Sequence, residues 1–462
     1  MTCKRYARFK ARLLVFMFFL VLVPAASAQR KEKVIYSFQG LPDGADPVGA
    51  VVFDQHGNLY GATQNGGSSS CPSIQQCGTV YQVAPPAKPG DPWTETVLYI
   101  FKGNRYGDGA SPYGGLVIDS EGNLYGTTGY GGTGDCVLLG SRLGCGTVFE
   151  LSPPKEKGGN WTETVLYSFP NAKRGYVPFG DLALDGAGNL YGATIFGGGY
   201  GTTCDSFYQY CGAVFRLSPP KKTSGKWTET VLHGFRGGAD GAEPYGGLIL
   251  DSKGNVYGTT FYGGSEEGEC NGGDAGTGCG TVFALQPPRK GGAWAEKVLW
   301  RFHGLDGATP AAGVVFGTDG ALYGTAFAGA ISGNGAVFSL AAPDGGRGSW
   351  REKVLYRFTG EADGENPTAG LTLAANGDLY GTAEFGGVFS GTVFRLEPPS
   401  GKRAWTFSIV HGFTGSPDGA QPAATLKFDK HGDLYGTTRG GGTGQACNWQ
   451  YGPCGTVFEV SP

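Results

Sequence analysis

One phrase of about fifteen residues recurs seven times along this chain of 462 residues, and it constrains the fold more than any other feature. Its second copy, at 114–128, reads GGLVIDSEGNLYGTT. It contains a short apolar run, a turn with Asp first and Gly fourth, and a second run of strand-forming residues. The tyrosines of the seven copies are Tyr60, Tyr125, Tyr191, Tyr257, Tyr323, Tyr380 and Tyr435. Successive copies lie 55 to 66 residues apart, a spacing that indicates a repeat architecture.

Each unit holds four predicted strands. In the second unit they are 115–118, 124–128, 146–151 and 161–169, with turns or loops between them. Four such strands match one blade of a β-propeller, whereas a β-solenoid would need a much shorter coil. The 86 glycines and 27 prolines recur at fixed repeat positions, so they indicate turns and not disorder. We predict an all-β fold, a single seven-bladed β-propeller over residues 29–462 with four antiparallel strands per blade.

The two ends of the chain are expected to pair with each other. After the first 28 residues the sequence starts with a fourth strand, 34–38, and it finishes with a third strand, 455–460. The last unit has no fourth strand of its own. Pairing of the N-terminal strand with the last blade would close the ring and cover the edges that an open sheet exposes.

Large aromatic residues recur in the outer strands. One position is phenylalanine in all seven units: Phe38, Phe101, Phe169, Phe235, Phe302, Phe358 and Phe413. Tryptophan starts six of the same strands: Trp93, Trp161, Trp227, Trp294, Trp350 and Trp405. Such rings predict packing between neighbouring blades, and stacking on a ligand is the alternative for any single one.

The N-terminus has the pattern of a signal peptide. Five basic residues precede an apolar run at 13–23, and Ala26, Ser27 and Ala28 form a small-residue cleavage site. We predict that residues 1–28 are removed and that the protein is exported, periplasmic or extracellular, without a membrane span. The remaining chain has 31 basic against 39 acidic residues, a net charge of −8, which argues against nucleic acid as a partner. We expect a monomer.

Ten cysteines follow the leader in five close pairs. The pairs are Cys71/Cys77, Cys136/Cys145, Cys204/Cys211, Cys270/Cys279 and Cys447/Cys454. Each lies in a long second-to-third loop, and the two units without cysteine have the shortest such loops. The pattern predicts five disulfides in an oxidising compartment, each stabilising its loop by roughly 2–3 kcal/mol. Zinc is the alternative, but no histidine accompanies the pairs at a zinc-ligand spacing.

The second-to-third and fourth-to-first connections should emerge on one face of the propeller. Six fourth-to-first connections carry an Asp-Gly pair, at Asp43, Asp108, Asp240, Asp306, Asp363 and Asp418. A capped tight turn explains these acids better than a Ca²⁺-binding ring, because one carboxylate per loop is far below the ligand density of a calcium loop. Arg174 takes the equivalent place in the remaining connection. It either neutralises its neighbours or binds an anionic group such as a uronate, and neutralisation is the favoured interpretation.

Aromatic residues that do not recur are candidate ligand contacts on the same face. Four precede a Gly-Gly at the end of a second strand: Tyr130, Phe196, Tyr262 and Phe385. Five lie in loops that disulfides would close: Phe207, Tyr208, Tyr210, Trp449 and Tyr451. Rings on constrained loops lose little entropy on binding, which suits stacking on sugar or peptide, and covering the loop's own backbone is the alternative.

The sequence carries no catalytic signature. The five histidines are scattered, and no glycine-rich loop leads from a strand into a helix. We therefore expect a binding module for a glycan or protein ligand, without catalytic residues, metal or cofactor. The alternatives are an extracellular polysaccharide hydrolase or lyase, with acids of the loop-rich face as general acid and base, and a structural component of the cell envelope.

The units have the form VLYSF…DGA.P.GGL..D..GNLYGTT..GG…GTVF.L.PP, and they resemble the GloVer repeats of the "choice-of-anchor tandem repeat" proteins of bacteria. The resemblance covers nearly everything after the leader. It implies an exported repeat protein, often tethered by a separate C-terminal surface anchor, and it implies no particular activity. The phrase of the first two strands is also similar to that of NHL-type propellers.

Overall fold

The computed structural model confirms the all-β prediction, with seven four-stranded antiparallel sheets arranged as the blades of a propeller. It describes residues 32–68, 77–104, 107–138, 141–198, 211–222, 225–264, 270, 278–289, 291–343, 345, 348–386, 390–401, 404–444 and 454–462. The predicted signal peptide lies outside these residues. No helix among them is long and apolar enough to cross a membrane.

In each of the first four blades, the strands follow one another from the innermost to the outermost position. Blade 1 comprises Val52–Phe53, Leu59–Thr63, Thr79–Ala84 and Thr94–Ile100. Blade 2 comprises Val117–Ile118, Leu124–Thr128, Thr147–Ser152 and Thr162–Ser168. Blade 3 comprises Tyr176–Leu184, Leu190–Phe196, Ala213–Ser218 and Thr228–Gly234. Blade 4 comprises Ile249–Leu250, Val256–Thr260, Thr281–Gln286 and Ala295–Arg301.

The remaining blades follow the same order. Blade 5 comprises Val315–Phe316, Leu322–Ala326, Ala336–Ala341 and Arg351–Arg357. Blade 6 comprises Thr372–Leu373, Leu379–Ala383, Thr392–Glu397 and Thr406–Gly412. Blade 7 comprises Lys427–Phe428, Leu434–Gly440, Thr456–Val460 and the N-terminal strand Glu32–Ser37. Ala420–Pro422 also pairs with the second strand of blade 7, and Gly109–Ala110 pairs with Tyr130–Gly131. Val137–Leu138 pairs with Ser141–Arg142 in a disulfide loop, and 3-10 turns occupy Ala172–Arg174 and Gly238–Asp240.

The ring closes as predicted. The N-terminal strand runs antiparallel to Thr456–Val460, with Val34 opposite Phe458 and Ser37 opposite Thr456. A register shift between Val34 and Tyr36 matches the bulge that occurs between the third and fourth strands of the other six blades. The closing blade is therefore built as the others are.

The recurrent phenylalanines pack between blades, which confirms their predicted role. Phe169, at the end of the outer strand of blade 2, is fully buried and meets Phe215 of blade 3 edge-to-face, with ring centroids 5.2 Å apart. Equivalent pairs occur at all seven contacts, and Phe38 and Tyr81 supply the one at the closure, at 5.0 Å. Glycine in the second strand makes room for this ring, because a Cβ on Gly192 would lie 2.6 Å from the Phe215 ring.

A second contact between blades lies where each third strand begins. Gly146 has a φ of +92°, and a Cβ there would lie 2.5 Å from Cδ of Pro178 in the next blade. The amide of Val177 donates to the carbonyl of Cys145 over 3.1 Å. The same proline contact and the same amide-to-carbonyl bond recur at all seven positions. They bring each fourth-to-first connection beside the second-to-third loop of the preceding blade, so both sets of loops lie on one face, here called the loop face.

Candidate functional site

The backbone at the mouth of the central channel is held in an uncommon conformation. The residue before the proline of each fourth-to-first connection has a φ between +49° and +57°; these residues are Asp46, Ser111, Val177, Glu243, Thr309, Asn366 and Gln421. Non-glycine residues in this region cost of order 1–3 kcal/mol each and cluster at functional sites. Bonds on both sides fix them: the Glu243 amide donates to Cys211, and its carbonyl accepts from the Phe261 amide at 2.9 Å. The mouth is therefore a preorganised ring of backbone that presents one variable side chain per blade.

One side of the mouth is a continuous row of aromatic rings, here called the aromatic arc. The residues after the prolines of blades 2, 3 and 4 are Tyr113, Phe179 and Tyr245. Tyr113 stacks on Phe179 at 4.7 Å and 29°, and Phe179 meets Tyr245 edge-to-face at 5.2 Å. The row continues to Phe261 at 4.9 Å and to Phe327 at 6.3 Å. All five residues are partly exposed, and Tyr113, Phe179 and Tyr245 line the cavity at the channel mouth.

The opposite side of the mouth is charged, and its members are here called the charged cluster. Arg439 of blade 7 donates from Nε to Oδ1 of Asp46 at 2.9 Å, and its Nη1 lies 3.4 Å from Oε1 of Glu384 in blade 6. The Glu384 side chain is 6% exposed. Burial raises the pKa of its carboxyl above the ordinary value, although Arg439 opposes the shift. One guanidinium thus holds two carboxyl groups from the blades on either side of it.

Side chains from neighbouring blades connect the arc to the charged cluster. Burial, with Tyr130 beside it, raises the pKa of Tyr113, and the charge of Asp46 adds to the shift. The Tyr113 hydroxyl therefore remains a protonated donor close to the cluster. At the other end, Asn366 Nδ2 donates to the carbonyl of Phe327 at 3.0 Å. The perimeter of the mouth thus has an aromatic row from Tyr113 to Phe327 and a polar part that runs from Asn366 to the charged cluster.

The channel narrows below this perimeter. A cavity of about 90 Å³ at the level of the residues after the prolines opens into one of about 260 Å³ nearer the opposite face. Asp181 lines both, and its carboxylate accepts from the Gly115 amide at 2.6 Å. A separate groove of about 430 Å³ between blades 1 and 2 opens on the other face and is lined by His56 and Trp161.

The predicted ligand contacts lie at separate places in the structure. Tyr130 is 9% exposed and packs on Tyr113 at 6.1 Å, and Tyr262 packs on Phe261 at 4.7 Å, so both border the arc. Phe196 packs on Tyr176 at 5.3 Å, and Phe385 pairs through its backbone with Glu365. The five loop aromatics lie outside the described residues; these are Phe207, Tyr208, Tyr210, Trp449 and Tyr451.

The six acids of the Asp-Gly pairs do not surround the channel mouth but lie beside the outer strands. Asp43 accepts from the Gln39 amide at 2.7 Å and from the Tyr36 hydroxyl at 2.9 Å. The other five accept from a backbone amide in the same way: Asp108, Asp240, Asp306, Asp363 and Asp418. Among the described residues, the group with metal-ligand geometry is Glu32, His411 and Asp418, whose ligand atoms lie within 4.8 Å of one another.

Arg174 is also remote from the aromatic arc. Its Nη1 lies 2.7 Å from Oε2 of Glu229 in the outer strand of blade 3, whose side chain is 1% exposed. Of the two predicted roles, the contact corresponds to neutralisation of a neighbour.

Two of the predicted disulfides are present, Cys136–Cys145 and Cys270–Cys279, with Cα atoms 5.1 and 5.3 Å apart. Cys77, Cys211 and Cys454 are disulfide-bonded as well, while their predicted partners lie outside the described residues. The bridges that are described therefore close single loops.

Sequence reasoning missed the residues that form the mouth. The position after the proline is Val48, Tyr113, Phe179, Tyr245, Ala311, Thr368 or Ala423, and the position before it varies equally. Variation at two positions that flank a fixed proline was the available signal, because a purely structural position would repeat as its neighbours do.

The family model of the Gloeobacter/Verrucomicrobia repeat matches residues 21–201 and 267–462. None of the curated proteins compared with the chain matches its sequence. A gluconolactonase from Xanthomonas campestris is similar in structure, with 16% identity, 68% of this chain and 79% of that chain covered, and a TM-score of 0.36. The PQQ domain of pyranose dehydrogenase from Coprinopsis cinerea has 12% identity, coverage of 94% and 98%, and a TM-score of 0.41. A polysaccharide lyase, an ulvan lyase, has 10% identity, coverage of 88% and 93%, and a TM-score of 0.48. Similarity at this level of identity gives no information about activity.

Proposed function

This chain belongs to the Gloeobacter/Verrucomicrobia repeat family, and we propose that it is an exported binding module whose ligand is an uncharged stretch of glycan. The ligand would lie across the mouth of the central channel on the loop face. One observation carries the proposal: at the mouth, five partly exposed aromatic rings face a charged cluster of one arginine and two carboxyl groups. The disulfides support export, since such bridges persist in oxidising compartments.

The aromatic arc supports stacking on sugar rings. Phe179 contacts both Tyr113 and Tyr245, and the three rings span three blades, so successive units of a chain could meet successive rings. Aromatic faces attract the C–H surfaces of sugars and lose little conformational entropy on binding. The positive-φ backbone beside them is already fixed by hydrogen bonds, which lowers the ordering cost further.

The charged cluster favours uncharged sugars over uronates. Arg439 is shared between Asp46 and Glu384, so its charge is matched before any ligand arrives. An anionic sugar would meet two carboxyl groups and one committed guanidinium. Sugar hydroxyls can donate to these carboxyl groups and accept from the guanidinium, as polar groups do in ligand sites of this kind.

Binding of matched oligosaccharides tests the proposal. Neutral oligosaccharides and oligouronates of equal length, chosen from a glycan array, would be titrated calorimetrically into the full chain. Phe179→Leu keeps an apolar side chain but removes the aromatic face, and we expect at least tenfold weaker binding of the neutral oligosaccharide, about 1.4 kcal/mol. His56→Ala, in the groove of the opposite face, is the matched control and should bind normally. Equal effects of the two substitutions, or a preference for oligouronates, would refute the assignment.

Hydrolysis or lysis of a glycan is the second candidate, and Glu384 is the observation that favours it. Its buried carboxyl has a raised pKa and lies near Asp46, as a general acid near a base would. Product analysis of the polysaccharides that bind would reveal new reducing ends or unsaturated sugars. If Glu384→Gln abolishes products while binding persists, the protein is an enzyme; if no product forms with wild-type protein, it is a binding module.

A further inference from the structure

Each boundary between two blades holds three side chains at a fixed set of positions, here called a seam. The first member comes from an outer strand, the second from the following connection, and the third from the outer strand of the next blade. In the first seam these are Tyr36, Asp43 and Glu95. The Tyr36 hydroxyl donates to Asp43 at 2.9 Å, and Glu95 is close enough to both for its charge to raise the pKa of Tyr36.

Five of the seven seams hold two carboxyl groups. The pairs are Asp43/Glu95, Asp108/Glu163, Asp240/Glu296, Asp306/Glu352 and Asp418/Glu32. In every one of them Oε1 of the glutamate is buried and has no hydrogen-bond partner among the described residues. In the first pair, Oδ1 of Asp43 is likewise buried without a partner among the described residues. The last pair differs from the other four, because Glu32 and Asp418 lie with His411 in the group that has metal-ligand geometry.

The two remaining seams avoid the pair in different ways. In the third seam Arg174 replaces the aspartate and forms an ion pair with Glu229 at 2.7 Å. In the sixth seam Phe407 replaces the glutamate and stacks on Tyr356 at 4.0 Å and 8°, which leaves Asp363 as the single carboxylate. A seam therefore contains either a carboxyl pair, an arginine with one carboxylate, or one carboxylate alone.

Two ionised carboxylates in a partly buried site repel each other, and sharing of one proton removes the repulsion. We propose that each of the four paired seams outside the Glu32, His411 and Asp418 group binds one proton between its glutamate and its aspartate, so that the ring is more stable at acidic pH and less stable at alkaline pH. The ionised Oε1 of each glutamate has no hydrogen-bond partner among the described residues. Once protonated, the same oxygen can donate a hydrogen bond to the aspartate. The proton is exchanged with solvent, so no other reactant is required.

The glutamates have the proton affinity that this role needs. Burial, with the charge of the neighbouring aspartate, raises the pKa of Glu95 from the ordinary 4.5 to about 7. Glu163, Glu296 and Glu352 reach about 7 from the same causes. Because the folded value lies above the unfolded one, the stabilisation is complete below about pH 4.5 and is lost as the pH rises through about 7.

Other charged groups face three of these four pairs and make their protonation less sensitive to pH. Lys102 faces Asp108/Glu163, and Arg357 and His303 lie beside Asp306/Glu352. His233 and Arg301 act on Asp240/Glu296. The groups that face Asp43/Glu95 are the hydroxyls of Tyr36 and the buried Tyr81, both with raised pKa. No cation contributes to the shift of either carboxyl in that seam, so it provides the cleanest test.

The test follows the melting temperature of the full chain from pH 5 to pH 9 at low calcium. We expect the wild-type melting temperature to fall by several degrees over this range. Glu95→Gln keeps the size of the side chain and a donor, so its melting temperature should match wild type at pH 5, exceed it at pH 9 and fall less steeply. Arg174→Asp builds a sixth pair, and its melting temperature should fall more steeply than that of wild type.

Parallel curves for wild type and Glu95→Gln would overturn the proposal. So would a stabilisation by millimolar Ca²⁺ at pH 8 that Glu95→Gln abolishes, because the seam would then hold a metal ion and not a proton. Infrared difference spectra give a second readout that does not depend on unfolding. The band of a protonated carboxyl should be present at pH 6, weaker in Glu95→Gln, and absent at pH 9; its presence only below pH 5 would contradict proton sharing.

Discussion

Arg174 and Glu229 form an ion pair of 2.7 Å in which the arginine is half exposed and the glutamate almost wholly buried. Removing only the arginine would leave the carboxylate without its charge partner inside a seam. We predict that Arg174→Met destabilises the protein by about 2 kcal/mol at pH 8. This is less than the loss of a fully buried pair, because solvent reaches the arginine and the glutamate can take up a proton.

Chemical denaturation at two pH values checks this prediction. Burial already raises the pKa of Glu229, while Arg174 opposes the shift, so loss of the arginine should raise it further. The destabilisation should therefore shrink at pH 5, where the carboxyl is protonated more readily. Arg174→Met combined with Glu229→Gln is the matched control and should remove the pH dependence of the loss. An equal loss at both pH values would show that Arg174 acts through packing alone.

The closure of the ring predicts that Phe38 contributes to stability as much as an equivalent phenylalanine within the chain. It is fully buried and meets Tyr81 at 5.0 Å, as Phe169 meets Phe215 at an internal boundary. We expect Phe38→Ala and Phe169→Ala to lower the free energy of unfolding by similar amounts, about 3–5 kcal/mol. Urea titration followed by intrinsic fluorescence measures both. A near-wild-type midpoint for Phe38→Ala alone would mean that the N-terminal strand contributes little to closure.

Most of the fold could be predicted from the sequence because the pattern of one blade occurs seven times. The short apolar runs, the turn residues and the fixed Phe and Trp positions all indicated the same four-stranded blade. Seven copies that agree in all three features do not arise by chance. The closure followed from strand order alone. The first strand is a fourth strand without a blade and the last blade lacks a fourth strand, so pairing of the two completes the blade and covers both edges.

The mouth could not be predicted in the same way. Its geometry depends on which residues of different blades converge on the axis, and repeat alignment compares blades without placing them around a ring. Tyr113 and Phe179 are 66 residues apart and stack at 4.7 Å, a contact that no local pattern encodes. The sequence placed the Asp-Gly acids on the loop face and favoured turn caps over a ring of carboxylates around the channel. Their distance from the axis could not be predicted from the repeat pattern, and the acids lie in the seams.

The disulfides should stabilise the loop face more than the ring. Cys136 and Cys145 are nine residues apart and close one loop of a sheet whose strands are already paired. We expect Cys136→Ser combined with Cys145→Ser to leave the melting temperature within a few degrees of wild type and to speed proteolysis at 130–146. Limited proteolysis with mass mapping tests both. Cooperative loss of the whole ring on reduction would contradict this local role.

The positive-φ residues at the channel mouth provide the last prediction. Thr309 has a φ of +49°, which a β-branched side chain tolerates poorly, and its buried hydroxyl has no hydrogen-bond partner in the part of the chain that the structure describes. Asn366 occupies the same position one blade later, and its side-chain amide donates to the carbonyl of Phe327 at 3.0 Å. Thr309→Asn should therefore place a donor near the equivalent carbonyl of Phe261 and relieve backbone strain, stabilising the protein by about 1 kcal/mol. Thr309→Val is the matched control: it removes the unpaired hydroxyl but keeps the branch, so any gain it shows belongs to the hydroxyl alone. If thermal unfolding ranks Thr309→Asn no higher than Thr309→Val, the left-handed backbone at this position is not strained.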